Sequence, residues 1–207
     1  MKIHKIQGDI SSEIAKSFKD SVAIDTEATG LQIPERDKLS LIQICGNSSD
    51  VYIIQPDRKT YKAPNLVSVL ENKDIQKIGH FLRFDKNALE YFLKCKIKNI
   101  FDTKLASKIC RTYTDSHGLK NLVQEFCNKN LDKKQGSSDW NKNINELSEK
   151  QLEYAANDVI FLHKIKIELE KMLIRENRMN LYNRCLDFLD TRVELDQSGF
   201  KFDIFEH

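Results

Sequence analysis

Ser21-Val-Ala-Ile-Asp-Thr-Glu27 is a short apolar run that ends in two acids. In a strand, alternate side chains share a face, so Asp25 and Glu27 point the same way. Two carboxylates side by side at a strand end repel each other unless a cation sits between them. Oxygen ligands of this kind suit Mg2+ or Mn2+. Taken alone, the same pattern also describes two solvated acids at a strand terminus.

Working outward, Leu39–Cys45 and Val51–Ile54 are apolar and β-branched, and with the first run they read as a strand meander. Gln76–Gly79 reads as a fourth strand and Ile97–Phe101 as a fifth. Between them, Phe81, Phe84, Ala88, Leu89, Phe92 and Leu93 repeat at helical spacing. Asn65 is placed to cap a helix running to Leu70, and Asp102 or Thr103 to cap one through Ile109. From Gly118 on, the pattern is helical, with Leu119, Leu122, Val123 and Phe126 forming one stripe. Asn130–Asn145 is polar and reads as a loop. Ser148 and Gln151 resemble a capping box that opens a long helix toward Leu173. A last helix is expected over Arg178–Asp196. The fold class is therefore α/β: a mixed five-stranded sheet flanked by helices, with a helical C-terminal half.

Two further signals carry chemistry. Asp85 lies inside the helix that follows the fourth strand. Tyr154-Ala-Ala-Asn-Asp158 places Tyr154 and Asp158 one turn apart on one helical face. By itself Asp85 is also an ordinary surface acid, and Tyr154 is also a structural tyrosine bonding the acid one turn on.

Together, Asp25, Glu27, Asp85, Tyr154 and Asp158 resemble the motifs of the DEDD exonuclease superfamily in its tyrosine-bearing branch. The segments His80-Phe-Leu-Arg-Phe-Asp85, Phe101-Asp-Thr, Ser116-His-Gly-Leu-Lys-Asn-Leu122, Leu131-Asp-Lys-Lys-Gln135, Ser138-Asp-Trp140 and Leu152-Glu-Tyr-Ala-Ala-Asn-Asp158 narrow the resemblance to ribonuclease D. It spans Ser21 to Leu173 and implies a ribonuclease H-like sheet in a single 3′→5′ exonuclease domain over residues 1–207, with packing helices from 174 on. It also implies two divalent ions, Mg2+ or Mn2+. Asp25, Glu27 and Asp158 would hold the first and Asp25 would bridge to the second, with Asp85 reaching that ion through water. Tyr154 would orient the attacking water together with Glu27. The implied partner is RNA with a free 3′ end, with transfer-RNA maturation as the family's natural role. Larger ribonuclease D proteins continue into helical RNA-binding domains. The roughly fifty residues after Asp158 are too few for one, as expected of a short bacterial form.

His80, Phe81 and Phe84 are candidate substrate contacts, although core packing is the commoner use of such phenylalanines. Gln135, Ser138, Asp139 and Trp140 sit in the long loop and are expected to shape the product side. The acids do not distinguish sugars, so a single-strand DNA exonuclease is the rival enzyme, and a nuclease-dead RNA-binding module is the rival from another class.

Composition sets the remaining bounds. The chain has 207 residues, 40% hydrophobic and 31% charged, with a net charge of +2. That balance permits a nucleic-acid partner if the basic groups are local. Lys94, Lys96 and Lys98, then Lys129, Lys133 and Lys134, form runs that more often mean a solvated face. Five cysteines without a CxxC pair read as reduced thiols of a cytoplasmic protein and offer no zinc spacing. No run approaches the ~20 apolar residues of a membrane span, the first ten residues have no secretory h-region, and no obligate protein partner is evident.

Overall fold

A computed structural model describes residues 1–33, 35–131, 138–200 and 202–206. Lys133, Lys134 and Gln135 of the sequence reading lie outside these residues. The chain forms β1 (Lys2–Gln7), α1 (Ser12–Ser17), β2 (Ser21–Ala28), β3 (Leu39–Cys45), β4 (Asp50–Gln55), α2 (Pro64–Glu71), β5 (Gln76–Gly79), α3 (Arg83–Leu93), β6 (Ile100–Asp102) and α4 (Thr103–Cys110). Then follow α5 (Leu119–Cys127), a 3-10 turn (Ile144–Glu146), α6 (Glu149–Ile160), α7 (Leu162–Arg175) and α8 (Met179–Gln197). Among the described residues no helix is long and apolar enough to cross a membrane.

The sheet is mixed, in the order β1-β4-β3-β2-β5-β6. Among the described residues it has six strands, not the expected five. The added strand is β1, which pairs parallel with β4 from Lys2↔Asp50 to Gln7↔Gln55. Antiparallel β2, β3 and β4 form the meander, and β5 and β6 extend it in parallel. Helices cover both faces, so the strand residues divide by parity. Ala23, Leu41, Val51 and Ile53 pack toward α4 to α7. Val22, Ile24, Ile42, Ile44 and Ile54 pack toward α2 and α3.

Helix ends follow local chemistry with two corrections. Asp102 caps α4 by accepting from Lys104 N and Leu105 N, and Ser148 and Gln151 form the capping box of α6. Asn65, however, does not cap α2. The helix starts at Pro64, and Asp9 reaches across to accept from Asn65 N at 2.8 Å and Leu66 N at 3.0 Å. The expected long helix toward Leu173 is two helices, broken at Phe161.

The register between β2 and β5 positions the site. They pair only over Ser21↔Gln76, Val22↔Lys77 and Ala23↔Ile78. Beyond Ala23 the edge of β2 that carries Asp25 and Glu27 leaves its neighbour, because β5 ends at Gly79 and the chain turns into α3. The turn is tight against the sheet. A Cβ on Gly79 would lie 2.2 Å from Leu82 Cδ2 and 3.2 Å from the Ile24 carbonyl oxygen. Gly79→Ala is therefore expected to destabilise the fold by about 1–3 kcal/mol through overpacking. Chemical denaturation checks this, and a midpoint equal to that of the parent chain would contradict the packing argument.

Candidate active site

Asp25 and Glu27 leave β2 on the face covered by α6, and α6 supplies Asp158. One ligand oxygen from each of Asp25, Glu27 and Asp158 lies within 4.8 Å of the others. Thr26 lies between the two acids in sequence and points to the opposite face, toward α3. There its hydroxyl donates to Asp85 Oδ1 at 2.6 Å in a buried hydrogen bond. Asp85 thus comes from the other layer of the molecule, tethered to the strand end by the residue whose neighbours face away from it. All of Asp25, Thr26, Glu27 and Asp85 line one cavity of about 580 Å3, together with Thr29, Leu31, His80, Phe81, Phe84, Ser138 and Trp140.

Burial of so many acids shifts their protonation. Burial, then the charges of Asp85, Asp158 and Glu27, hold the Asp25 carboxyl well above its ordinary range. Burial, then Asp158 and Asp85, push Glu27 up to about 9. Asp85 rises to about 7, mainly through burial, with the Thr26 hydroxyl pulling the other way. A carboxylate cluster that must take up protons when empty matches the charge and hard-oxygen donor set of a divalent cation.

Tyr154 stands one turn before Asp158 and its hydroxyl donates to that carboxylate. Burial, then Asp158, Glu27 and Asp25, raise the pKa of the phenol, so it keeps its proton at neutral pH. Its ring lies against Trp140, centroids 6.1 Å apart. The loop bearing Trp140 is held from the far side by a residue with no motif to announce it. Arg58, after β4, donates to the carbonyls of Asn141 at 2.9 Å and Trp140 at 3.0 Å. Gln55 adds a bond to Lys142 O at 2.8 Å and accepts from Ile144 N at 3.1 Å. Sequence reasoning missed Arg58, Gln55 and Thr26. Only Thr26, inside the acidic motif, had a local signal.

The weaker candidates separate. His80 lines the cavity and its Nδ1 meets Thr103 Oγ1 at 3.0 Å. Phe84 is partly buried against the core as well as lining the cavity. Phe81 is 48% exposed and stands outside α3 at φ 69°, in the left-handed region. Asp139 accepts from Asn141 N and so shapes its own loop.

Residues 6–174 match the family described as 3′-5′ exonuclease. A ribonuclease D from Desulfotalea psychrophila is 31% identical over 204 residues, which cover 93% of this chain and 52% of that protein. The solved structure of Brucella melitensis NrnC with bound Mg2+ is 42% identical with a TM-score of 0.91, each chain covered fully. NrnC from the same organism bound to pGG is 42% identical with a TM-score of 0.92, covering 100% of this chain and 99% of that one. The chain spans between 24% and 52% of the length of the first curated relatives it matches.

The protonation pattern yields a stability prediction. Glu27 titrates near 4.5 when unfolded and at about 9 when folded. Between those values the folded chain holds a proton that the unfolded chain has released, so this residue makes stability fall as pH rises. Without metal, Glu27→Gln should therefore be more stable than the parent at pH 8, and the advantage should shrink toward pH 5. Added Mg2+ or Mn2+ should raise the parent's melting temperature more than the variant's. Melting curves across pH with and without EDTA test both, and a variant less stable at pH 8 than at pH 5 relative to the parent would reverse the argument.

Proposed function

The chain belongs to the 3′-5′ exonuclease family, and on that premise we propose that it is a metal-dependent exoribonuclease that removes 5′-mononucleotides from the 3′ end of RNA. The observation that carries the reading is the convergence of Asp25, Glu27 and Asp158 within 4.8 Å, with Asp85 fixed opposite them by Thr26. The ribonuclease D relatives favour RNA over DNA, and the related structures with Mg2+ and with pGG support a divalent cation and a short strand. We propose a single domain, with its chemistry within residues 21–173 and residues 174–207 packing against it, working in the cytoplasm on RNA 3′ ends. Transfer-RNA ends and short oligoribonucleotides are the two substrate classes to compare.

In this reading Asp25, Glu27 and Asp158 would hold one cation, and Asp25 and Asp85 would hold a second. Bound divalent ions would lower the pKa of a water and offset charge on the departing 3′-oxygen. The protein's own contribution is position. Glu27 and the protonated Tyr154 hydroxyl orient the water. Trp140, latched by Arg58, supports the ring of Tyr154. Phe81 and Leu31 stand at the cavity where the terminal nucleotide enters. Attack opposite the 3′-oxygen leaves the phosphate on the released nucleotide, so the product is a 5′-mononucleotide.

The decisive experiment is a time course on 5′-labelled RNA and matched DNA with Mg2+, Mn2+ or EDTA. RNA should shorten one nucleotide at a time from a free 3′-OH, and chelator should stop it. Asp25→Asn and Asp158→Asn should lower turnover by orders of magnitude. Tyr154→Phe should lower it about 10- to 1,000-fold with metal affinity little changed, as expected when one positioning hydrogen bond is lost. Full activity in EDTA, or cleavage of circular RNA, would refute the reading. Loss of metal binding together with a lower melting temperature in Tyr154→Phe would make that tyrosine structural.

A further inference from the structure

Strand β3, Leu39-Ser-Leu-Ile-Gln-Ile-Cys45, is buried at every residue. One of those residues carries a primary amide. Gln43 is 0% exposed, and among the described residues neither its Oε1 nor its Nε2 has a hydrogen-bond partner. The other buried side chains that lack a partner lack it at a single atom. Burying an amide group unpaired costs about 1–3 kcal/mol. Leucine, isoleucine or methionine would fill such a position without that cost, so the amide calls for an explanation.

The strand register places it. Gln43 stands opposite Ile53 of β4 on one side and opposite Asp25 of β2 on the other. Directly opposed residues of a sheet share a face. Leu41 and Cys45, two residues before and after Gln43, pack toward α4 to α7, as do Ala23 and Ile53. Gln43 therefore lies on the face that bears Asp25 and Glu27. Helix α6 closes this layer with Ala155, Ala156 and Val159, all apolar and fully buried. Of the register neighbours and these three helix residues, Asp25 alone has a polar side chain.

The Cβ atoms of an opposed pair lie about 4.5–5.5 Å apart, a gap that a glutamine side chain spans. Its Nε2–H groups are donors, and an ionised carboxylate is an acceptor at both oxygens. Two of the other acids already have a hydroxyl donor of this kind. Asp85 accepts from Thr26, and Asp158 accepts from Tyr154. Carboxylates that ligate metal ions are in turn hydrogen-bonded, which fixes the direction of their oxygens.

We propose that Gln43 is a positioning residue that acts through Asp25, its amide donating to the Asp25 carboxylate when that carboxylate holds a divalent cation. The inference rests on the reading of the acids as a metal site and deepens it. Gln43 itself touches neither the cation nor the RNA.

Two apolar replacements of similar size, Gln43→Met and Gln43→Leu, test it by titration calorimetry with Mn2+ and by melting in EDTA. In EDTA at least one variant should melt at or above the parent's temperature, because the unpaired amide is gone. That variant should bind Mn2+ about 10- to 100-fold more weakly than the parent, the scale of losing a group that orients a metal ligand. Mn2+ affinity equal to the parent's, in a variant that melts no lower than the parent, would overturn the proposal and leave the metal site standing. A lower melting temperature in EDTA for both variants would also overturn it, marking the amide as a structural group satisfied by a trapped water. A parent chain that binds no Mn2+ would overturn both the role of Gln43 and the metal-site reading beneath it.

Discussion

Four carboxylates crowd the end of one strand, and like charges so close in a buried place do not stay ionised on their own. The rest of the architecture can be understood as the means of holding them there. Asp25 and Glu27 cannot move apart, because β2 is a central strand fixed by β3 on one side and by the start of β5 on the other. Asp158 cannot withdraw, because α6 is seated on β2 through Ala155 and Ala156, both fully buried. Small side chains let the helix axis come close, and the capping box sets where it begins. The repulsion is therefore relieved by protons or by cations and not by motion. This makes the site a receptor for positive charge before any substrate arrives.

The strand's two-residue period solves a second problem. A cluster with all four acids on one face would need a single helix layer to supply both partners. Instead, Asp25 and Glu27 meet α6 on one face while Thr26 meets Asp85 of α3 on the other. The acids converge only at the strand end, where β2 has left β5 and neither layer is shielded by a neighbouring backbone. The threonine between the acids is thus a tether between the two helix layers. Serine could donate the same bond, but a residue without a hydroxyl would leave Asp85 buried with its Oδ1 unpaired, at a cost of about 1–3 kcal/mol.

The strands and helices that could be read from sequence are those whose burial gives a strong pattern. Strand β3, Leu39–Cys45, is buried at every residue, and α3 shows its apolar positions at helical spacing. Strand β1 was illegible because KIHKIQ is an edge strand, paired on one side with no fully buried residue; its lysines give no apolar run. The cap of α2 was misread for another reason. Asn65 is the right residue type in the right place, but Asp9, 56 residues earlier, supplies the acceptor, and no local rule detects a cap donated from elsewhere. The five motif residues were legible together because their types are rare in combination. The structure brings Asp25, Glu27 and Asp158 together in one cluster, and Asp85, held by Thr26 from the other helix layer, lines the same cavity and is the charge that acts most on Asp25. Arg58 acquires meaning only from what folds against it. A lone arginine after a strand is commonplace.

Asp102 shows how one residue can be legible in part. Its place before Thr103 marks it as a helix cap, and it does cap α4. The same carboxylate also accepts from Phe81 N at 3.1 Å and Leu82 N at 2.8 Å, 21 and 20 residues earlier in the chain. Those bonds hold the turn between β5 and α3, in which Phe81 adopts a backbone conformation that costs a bulky residue of order 1–3 kcal/mol. Four backbone N–H groups in two segments thus converge on one buried acid, and Tyr182 of α8 bonds its backbone N–H at 2.9 Å. Burial raises the pKa of this carboxyl while the four amides oppose the rise. The ionised form suits the arrangement, since only it accepts from all four without carrying a proton of its own. A single side chain therefore joins the start of α3, the start of α4 and the C-terminal helix. The strain at Phe81 is borne by that joint, which keeps the residue at the cavity that the acids line.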